Sequence, residues 1–226
     1  MNRIGIMGGT FNPIHNGHLA IAQAAREQFA LDKVLFMPSG VPYMKNLREV
    51  LPASVRCEMT ALAIRDIPYF ELSDLEAVAE GNTYTCRTLE QLKSLHPDTD
   101  FYFLLGADSL YAIETWKRPE QIFKSCTILA AVRRETAGRS EASTANAAEG
   151  DGYDGDLGGT ALQRRLLEQI RYLREKYGAL VEMLEIPEID ISSTRIRHML
   201  LAGNSVQGLL PAAVESYITK NHLYRG

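Results

Sequence analysis

Residues 3–22 read RIGIMGGTFNPIHNGHLAIA, and this stretch decides the fold. It begins with a short apolar run, typical of a buried strand, which ends at Gly8 and Gly9. A turn with two histidines follows, and then a run of alanine, leucine and isoleucine that is typical of a helix. A strand, a glycine turn and a helix in this order predict the first unit of a parallel α/β sheet.

The rest of the chain repeats this alternation. Apolar runs predict further strands at 33–37, 70–74, 101–108, 126–132 and 179–186. Apolar residues at helical spacing predict helices at 17–29, 54–66, 162–177, 193–202 and 211–220, and one more that Asn82 or Thr83 could cap. We therefore expect a Rossmann-like, doubly wound parallel sheet followed by C-terminal helices. Ligands bind such sheets at the carboxyl ends of the strands.

The composition indicates one soluble domain. The chain has 226 residues, 46% of them apolar, and we expect a single domain over 1–226. A net charge of −4 argues against broad nucleic-acid binding. With neither a signal peptide nor a run long enough to cross a bilayer, we expect a cytoplasmic protein without a membrane partner. The three cysteines form no CxxC pair, which favours free thiols over disulfides or zinc ligands.

Residues 135–160 break the pattern. They hold six glycines, five alanines and six acidic residues, and their only large apolar residues are Tyr153 and Leu157. Such a segment buries too little surface to order itself, so we expect a flexible acidic insertion. A lid or a partner-binding segment is the alternative, but this composition encodes little specificity.

The turn after the first strand has the features of a phosphate site. Gly8 and Gly9 let the backbone approach an anion, and the helix that follows offers free N–H groups and the positive end of its dipole. His15 and His18 are three residues apart, so in a helical turn they share one face and can donate hydrogen bonds to a phosphate. A metal pair would need a nearby cysteine or acid at a suitable spacing, and a serine hydrolase would need a GxSxG elbow. Neither is found in the sequence.

A second motif, ISSTRIR, occupies residues 191–197. Ser192 or Ser193 can cap a helix that starts here. Arg197 is four residues from Ser193 and three from Thr194, so hydroxyls and a guanidinium converge on one face. Together they offer a second set of donors for an anion.

The two motifs together resemble the signatures of the nucleotidylyltransferase superfamily, whose first motif ends in HxGH. Within it the chain resembles the nicotinate mononucleotide adenylyltransferases over nearly its whole length, apart from 135–160. The TYT at 83–85, the GAD at 106–108 and the single Trp116 support this likeness. The resemblance implies adenylyl transfer from ATP to nicotinate mononucleotide, which yields deamido-NAD and pyrophosphate in NAD biosynthesis. It also implies a magnesium ion bound through the ATP phosphates, with few or no protein ligands.

The resemblance assigns roles residue by residue. The implied catalytic residues, which stabilise charge in the transition state, are His15, His18, Lys45 and Arg197. The implied ATP-binding residues are Gly8, Gly9, Thr10, Phe11, His15, His18, Gly106, Asp108, Ser192, Ser193, Thr194 and Arg197. The implied mononucleotide-binding residues are Tyr84, Thr85, Trp116 and Arg133, with the indole of Trp116 stacked on the nicotinate ring.

The chain departs from the family pattern at three places. Where the family usually has PPHK, the chain reads Pro42-Tyr43-Met44-Lys45, so the cation is kept and the histidine is replaced by methionine. Asn12 stands where aspartate is commoner, and because both are good turn residues we expect little consequence. Arg134 stands where proline is usual.

Other functions are compatible with the same motifs. A related enzyme could adenylylate nicotinamide mononucleotide or pantetheine phosphate, although the pantetheine enzymes are generally shorter and lack the ISSTxIR form. A non-catalytic nucleotide-binding regulator could also be built on this fold. Intact HxGH and SSTxIR motifs favour catalysis.

Overall fold

A computed structural model describes residues 2–40, 50–133, 159–186 and 191–225, without the side chains of Arg133 and of 159–163. Lys45 and nearly all of the predicted insertion at 135–160 lie outside the described residues. The last two residues of that predicted insertion are an exception, because the sixth helix begins at Gly159.

The described residues form one six-stranded sheet. Its strands are β1 (Asn2–Gly9), β2 (Lys33–Pro38), β3 (Phe70–Leu72), β4 (Thr99–Gly106), β5 (Thr127–Arg133) and β6 (Val181–Ile186). The order across the sheet is β3-β2-β1-β4-β5-β6, and every neighbouring pair is parallel. This is the doubly wound order, in which β2 and β3 are added on one side of β1 and β4 to β6 on the other, so the topological switch point lies between β1 and β4. The predicted fold class is confirmed.

Helices connect the strands and follow the last of them. They are α1 (Asn16–Gln28), α2 (Ala53–Ile64), α3 (Thr85–Leu95), α4 (Ala107–Ala112), α5 (Pro119–Ser125), α6 (Gly159–Tyr177), α7 (Ser193–Leu201) and α8 (Ala212–Lys220). A single 3₁₀ turn, Ile113–Thr115, follows α4. The sequence did not indicate α4 and α5, because one or two helical turns show too little periodicity to be recognised.

The sheet is covered on both faces, which explains why β1 and β5 bury consecutive residues, Ile4 to Met7 and Ile128 to Ala131, without alternation. Successive residues of a strand point to opposite sides of the sheet. Accordingly, Phe103 in β4 packs into one hydrophobic cluster and its neighbour Leu104 packs into the other. The cluster that contains Leu104 also contains Ile196 of α7 and Val214 of α8. The C-terminal helices are thus part of the main core.

The carboxyl ends of the parallel strands meet at one edge of the sheet. Gly9 pairs with Pro38 in the register of β1 and β2, and Arg133 pairs with Ile186 in the register of β5 and β6. Most of the residues singled out in the sequence follow one of these strand ends.

The cysteines are free, as predicted, and two of them are buried. In the part of the chain that the structure describes, no helix is both long and apolar enough to cross a membrane.

Candidate active site

The turn between β1 and α1 is compact and carries buried side chains. Phe11 has a positive φ of 47°, and its ring folds back so that a β-carbon on Gly9 would lie 3.1 Å from it. The Phe11 ring is only 2% exposed and packs against Phe36 and the edge of His18. Phe11 therefore offers its backbone to this edge of the sheet, while its side chain belongs to the core.

The two histidines lie together, as their spacing predicted. His15 precedes α1 directly, and its ring stacks on that of His18 with 3.6 Å between the ring centroids. The backbone N–H of His15 donates to Nδ1 of His18 over 3.2 Å. This local bond orients the His18 ring at the start of the helix.

His15 is buried, with 6% of its surface exposed. Loss of solvent lowers the pKa of its imidazole from 6.5 to about 4. The ring is therefore neutral near pH 7 in the free protein. His15 can act there as a hydrogen-bonding group, and it adds no positive charge beside the His18 ring.

The C-terminal motif docks on this turn. The Ser193 hydroxyl donates to the carbonyl of Pro13 over 2.9 Å, across 180 positions of sequence. Nη1 of Arg197 donates to the carbonyl of Asn12 over 3.1 Å, and its Nη2 lies 3.4 Å from the Thr194 hydroxyl. Of the two candidate caps, Ser192 caps α7, because its Oγ accepts from the N–H of Arg195. Ser193 instead joins the two motifs.

The side chain of Asn12 connects the β1–α1 turn to two distant segments of the chain. Its side chain is 3% exposed, and Oδ1 accepts from the N–H of Leu51 over 3.3 Å and from the hydroxyl of Tyr224 over 2.8 Å. Burial is the main reason that the pKa of Tyr224 is raised, so this hydroxyl remains a donor. Both bonds use an acceptor oxygen that aspartate would also provide. This supports the expectation that asparagine here has little consequence.

Arg56 is a residue that the sequence reasoning missed. It lies in α2, is 1% exposed, and donates to the carbonyls of Thr10, Ser39, Gly40 and Leu51. A signal was present in the sequence. Arg56 lies three residues before Met59 and seven before Ala63, so a charged residue stands on the apolar face of the helix.

A second group of predicted residues meets near the start of α3. Tyr84 is the residue before this helix, its side chain makes no capping hydrogen bond, and Thr85 is the first residue of the helix. The first backbone N–H groups of a helix have no partner within it. Trp116 is half-buried and packs edge-on against Phe103, with 6.3 Å between the ring centroids. Lys117 Nζ lies 4.1 Å from the centre of the Tyr84 ring, which brings the segment after α4 to the start of α3.

Glu76 supports the start of α3 and was not anticipated. Its carboxylate accepts from the hydroxyl of Thr88 over 2.7 Å and from that of Thr83 over 3.3 Å. Burial raises the pKa of this carboxyl, and the two hydroxyl bonds work in the opposite direction. Gly40 packs on the same segment, because a β-carbon on it would lie 2.4 Å from the Glu76 carbonyl oxygen.

The remaining predicted residues follow β4 and β5. Gly106 ends β4, and the exposed Asp108 lies in the first turn of α4. Arg133 ends β5 at the same edge of the sheet. Among the described residues, no three histidines, cysteines or acids are grouped so that they could hold a metal ion.

Known proteins resemble this chain both in sequence and in fold. The cytidylyltransferase-like family matches residues 6–199. A protein of Lachnoclostridium phytofermentans named "Probable nicotinate-nucleotide adenylyltransferase" is 42% identical over 99% of this chain and 100% of its own length. A Thermoanaerobacter protein of the same name is 38% identical over 99% of this chain and 94% of its own length.

A solved structure shares the fold. The nicotinic acid mononucleotide adenylyltransferase of Plasmodium falciparum, complexed with NaAD, superposes with a TM-score of 0.71 at 21% identity, covering 99% of this chain and 98% of its own. Fold and sequence match together define a member of the cytidylyltransferase-like family. Within that family, the chain belongs to the nicotinate-nucleotide adenylyltransferases.

Burial of His15 predicts a pH-dependent stability. The unfolded chain takes up a proton near pH 6.5, whereas folded His15 resists protonation down to about pH 4. The free energy of unfolding therefore has its full value above pH 6.5 and falls as the pH drops toward 4, by up to roughly 3 kcal/mol from this group. Urea titrations of the wild type and of His15→Leu across this range measure the effect.

His15→Leu should lose less stability on acidification than the wild type. His96→Leu, which replaces an exposed imidazole, is the control and should follow the wild type. An equal pH dependence in wild type and His15→Leu would show that His15 is not held neutral by the fold.

Proposed function

We propose that the chain transfers the adenylyl group of ATP to nicotinate mononucleotide, which yields deamido-NAD and pyrophosphate. One observation carries this proposal: the bonds from Ser193 to Pro13 and from Arg197 to Asn12 join both motifs into one donor-rich edge at the end of β1. The names of relatives that match the whole chain at about 40% identity support the same reaction.

The reaction needs alignment more than proton transfer. A phosphate oxygen of the mononucleotide attacks the α-phosphorus of ATP, and the bond from that phosphorus to the bridging oxygen breaks. Pyrophosphate leaves with the electron pair. The attacking phosphate is already ionised near neutral pH, so no general base is required. Catalysis then depends on holding both phosphates in line and on stabilising the charge of the leaving group.

The proposed catalytic residues act as donors to the triphosphate. His15 and His18 present their stacked rings at the start of α1, where the helix dipole also favours an anion. Because the pKa of His15 is low, it serves as a neutral hydrogen-bond donor. Arg197 adds a fixed positive charge, and Lys45 is proposed to add a second one.

ATP is proposed to bind along the ends of β1 and β4 and the start of α7. The residues that bind it are Gly8, Gly9, Thr10, Phe11, His15, His18, Gly106, Asp108, Ser192, Ser193, Thr194 and Arg197. Phe11 contributes through its backbone, since its ring is buried. The N–H groups at this edge suit phosphate oxygens, whereas Mg²⁺ prefers oxygen ligands and keeps its waters. The magnesium ion is therefore proposed to be held by the ATP phosphates, where it neutralises charge.

The mononucleotide is proposed to bind at the start of α3. Trp116 stacks on the nicotinate ring, Tyr84 and Thr85 line the pocket, and Arg133 lies toward the nucleotide. The free N–H groups at the first turn of α3 are donors only, so they match a carboxylate, which accepts hydrogen bonds only.

This arrangement predicts a preference for the acid over the amide. Nicotinamide mononucleotide would turn its NH₂ group toward backbone donors and leave one of them unpaired. A buried unsatisfied donor costs about 1–3 kcal/mol, so kcat/KM should favour nicotinate mononucleotide by about tenfold or more. Pyrophosphate release at fixed ATP measures both values. Equal values, or a preference for the amide, would refute the nicotinate assignment and leave adenylyl transfer intact.

His18→Ala should lose turnover while the fold is retained. Removal of one donor to a transition-state oxyanion commonly lowers kcat by about 10²–10³-fold. Pyrophosphate release and a thermal unfolding curve separate these two properties, and His96→Ala, at an exposed position, is the control. A well-folded His18→Ala protein with wild-type kcat would contradict the role given to this imidazole.

A further inference from the structure

We infer that Arg56 is a positioning residue that holds the ATP-binding turn and the mononucleotide-binding segment at a fixed separation. This inference rests on the proposed function. Arg56 lies in α2, whose residues carry none of the roles described above. Its effect on the reaction would pass through the backbone that it binds.

The Arg56 guanidinium joins three separate segments. It donates to the carbonyl of Thr10 after β1 over 2.7 Å, to those of Ser39 and Gly40 after β2 over 2.6 and 2.7 Å, and to that of Leu51 over 2.9 Å. It forms no ion pair with any described residue. A buried charge that is satisfied only by carbonyl oxygens is costly unless all its bonds are well formed. The four carbonyls are therefore held firmly in place.

On one side, the carbonyls bound by Arg56 belong to the ATP-binding turn and to residues next to it. Thr10 lies between the glycines of the first motif and Asn12. The carbonyl of Gly9 accepts from the N–H of Ser39 over 2.9 Å, so the turns after β1 and β2 are joined twice. Leu51, whose carbonyl accepts from Arg56, gives its own N–H to the Oδ1 of Asn12.

The other side reaches the mononucleotide-binding segment. Gly40 packs so closely on Glu76 that there is no room for a β-carbon, which would lie 2.4 Å from the Glu76 carbonyl oxygen. The Glu76 carboxylate in turn holds the hydroxyls of Thr83 and Thr88, on either side of Tyr84. A shift of Gly40 would therefore move the start of α3 relative to Thr10.

Arginine is required here because of its shape. Its planar group carries five N–H donors in a fixed fork, whereas lysine offers three donors from a single point. Lysine could not reach carbonyls on three segments at once. A loss of alignment by about 1 Å can lower the rate about 10²-fold without removing any group that touches substrate.

The main test compares Arg56→Met and Arg56→Lys with Arg65→Met. Arg65 lies next to the end of α2, with 63% of its side chain exposed, so Arg65→Met is the matched control. We expect kcat to fall about 10²-fold in both Arg56 variants, while the Kd of an ATP analogue alone and of nicotinate mononucleotide alone change less than tenfold. Arg65→Met should keep wild-type values.

The same measurements can overturn the inference. A folded Arg56 variant with kcat within threefold of wild type would do so. The inference would also be overturned if the apparent kcat fell only in proportion to the fraction of folded protein, because a purely structural role predicts that result. Pyrophosphate release by the wild type tests the proposed function separately, since the inference concerns only the ratio of variant to wild type.

Gly40→Ala provides a second test that leaves Arg56 in place and decides the matter if neither Arg56 variant folds. The added methyl group forces Gly40 and Glu76 apart. We expect lower kcat and a higher KM for nicotinate mononucleotide, while the Kd of the ATP analogue is unchanged. Wild-type kcat and KM in Gly40→Ala would show that the separation of the two segments does not control the reaction.

Discussion

The candidate site depends on one long-range contact, in which the start of α7 is bound to two backbone carbonyls of the β1–α1 turn. The Ser193 hydroxyl and the Arg197 guanidinium donate to the carbonyls of Pro13 and Asn12. Hydrophobic packing makes this contact possible, since Ile196 of α7 is fully buried in the same cluster as Ile14. Apolar burial is not directional, so it brings the two motifs together without fixing their relative position. The two hydrogen bonds, which are directional, fix that position.

In the proposed function, the substrate phosphates would complement the positive charge near this edge. Arg56 and Arg197 direct donors at neutral carbonyl oxygens. Burial keeps His15 neutral in the free protein, which avoids placing another cation beside the His18 ring. The proposed triphosphate would meet an Arg197 side chain already oriented by its bond to Asn12, so little reorganisation is needed when charge develops in the reaction.

Much of the fold was predictable from the sequence, and so was part of the site. The strand-turn-helix pattern at 3–22 and the later apolar runs predicted the parallel sheet, and His15 and His18 share a face as their spacing indicated. The helix that begins at Thr85 was also expected. The short helices α4 and α5 were not, because their periodicity is too brief. Arg56 was missed because helical periodicity alone does not distinguish a buried arginine from a solvated one.

The sequence by itself determined the local structure and the chemical character of each motif: a glycine turn with two imidazoles, and a capped helix with hydroxyls and a guanidinium. Only the tertiary structure decided which of these groups meet. Ser192, not Ser193, caps α7, because Pro13 lies within reach of the Ser193 hydroxyl. The low pKa of His15 and the four carbonyls around Arg56 likewise come from burial by distant segments. Desolvation and hydrogen bonding depend on neighbours in space, and local sequence patterns specify only neighbours along the chain.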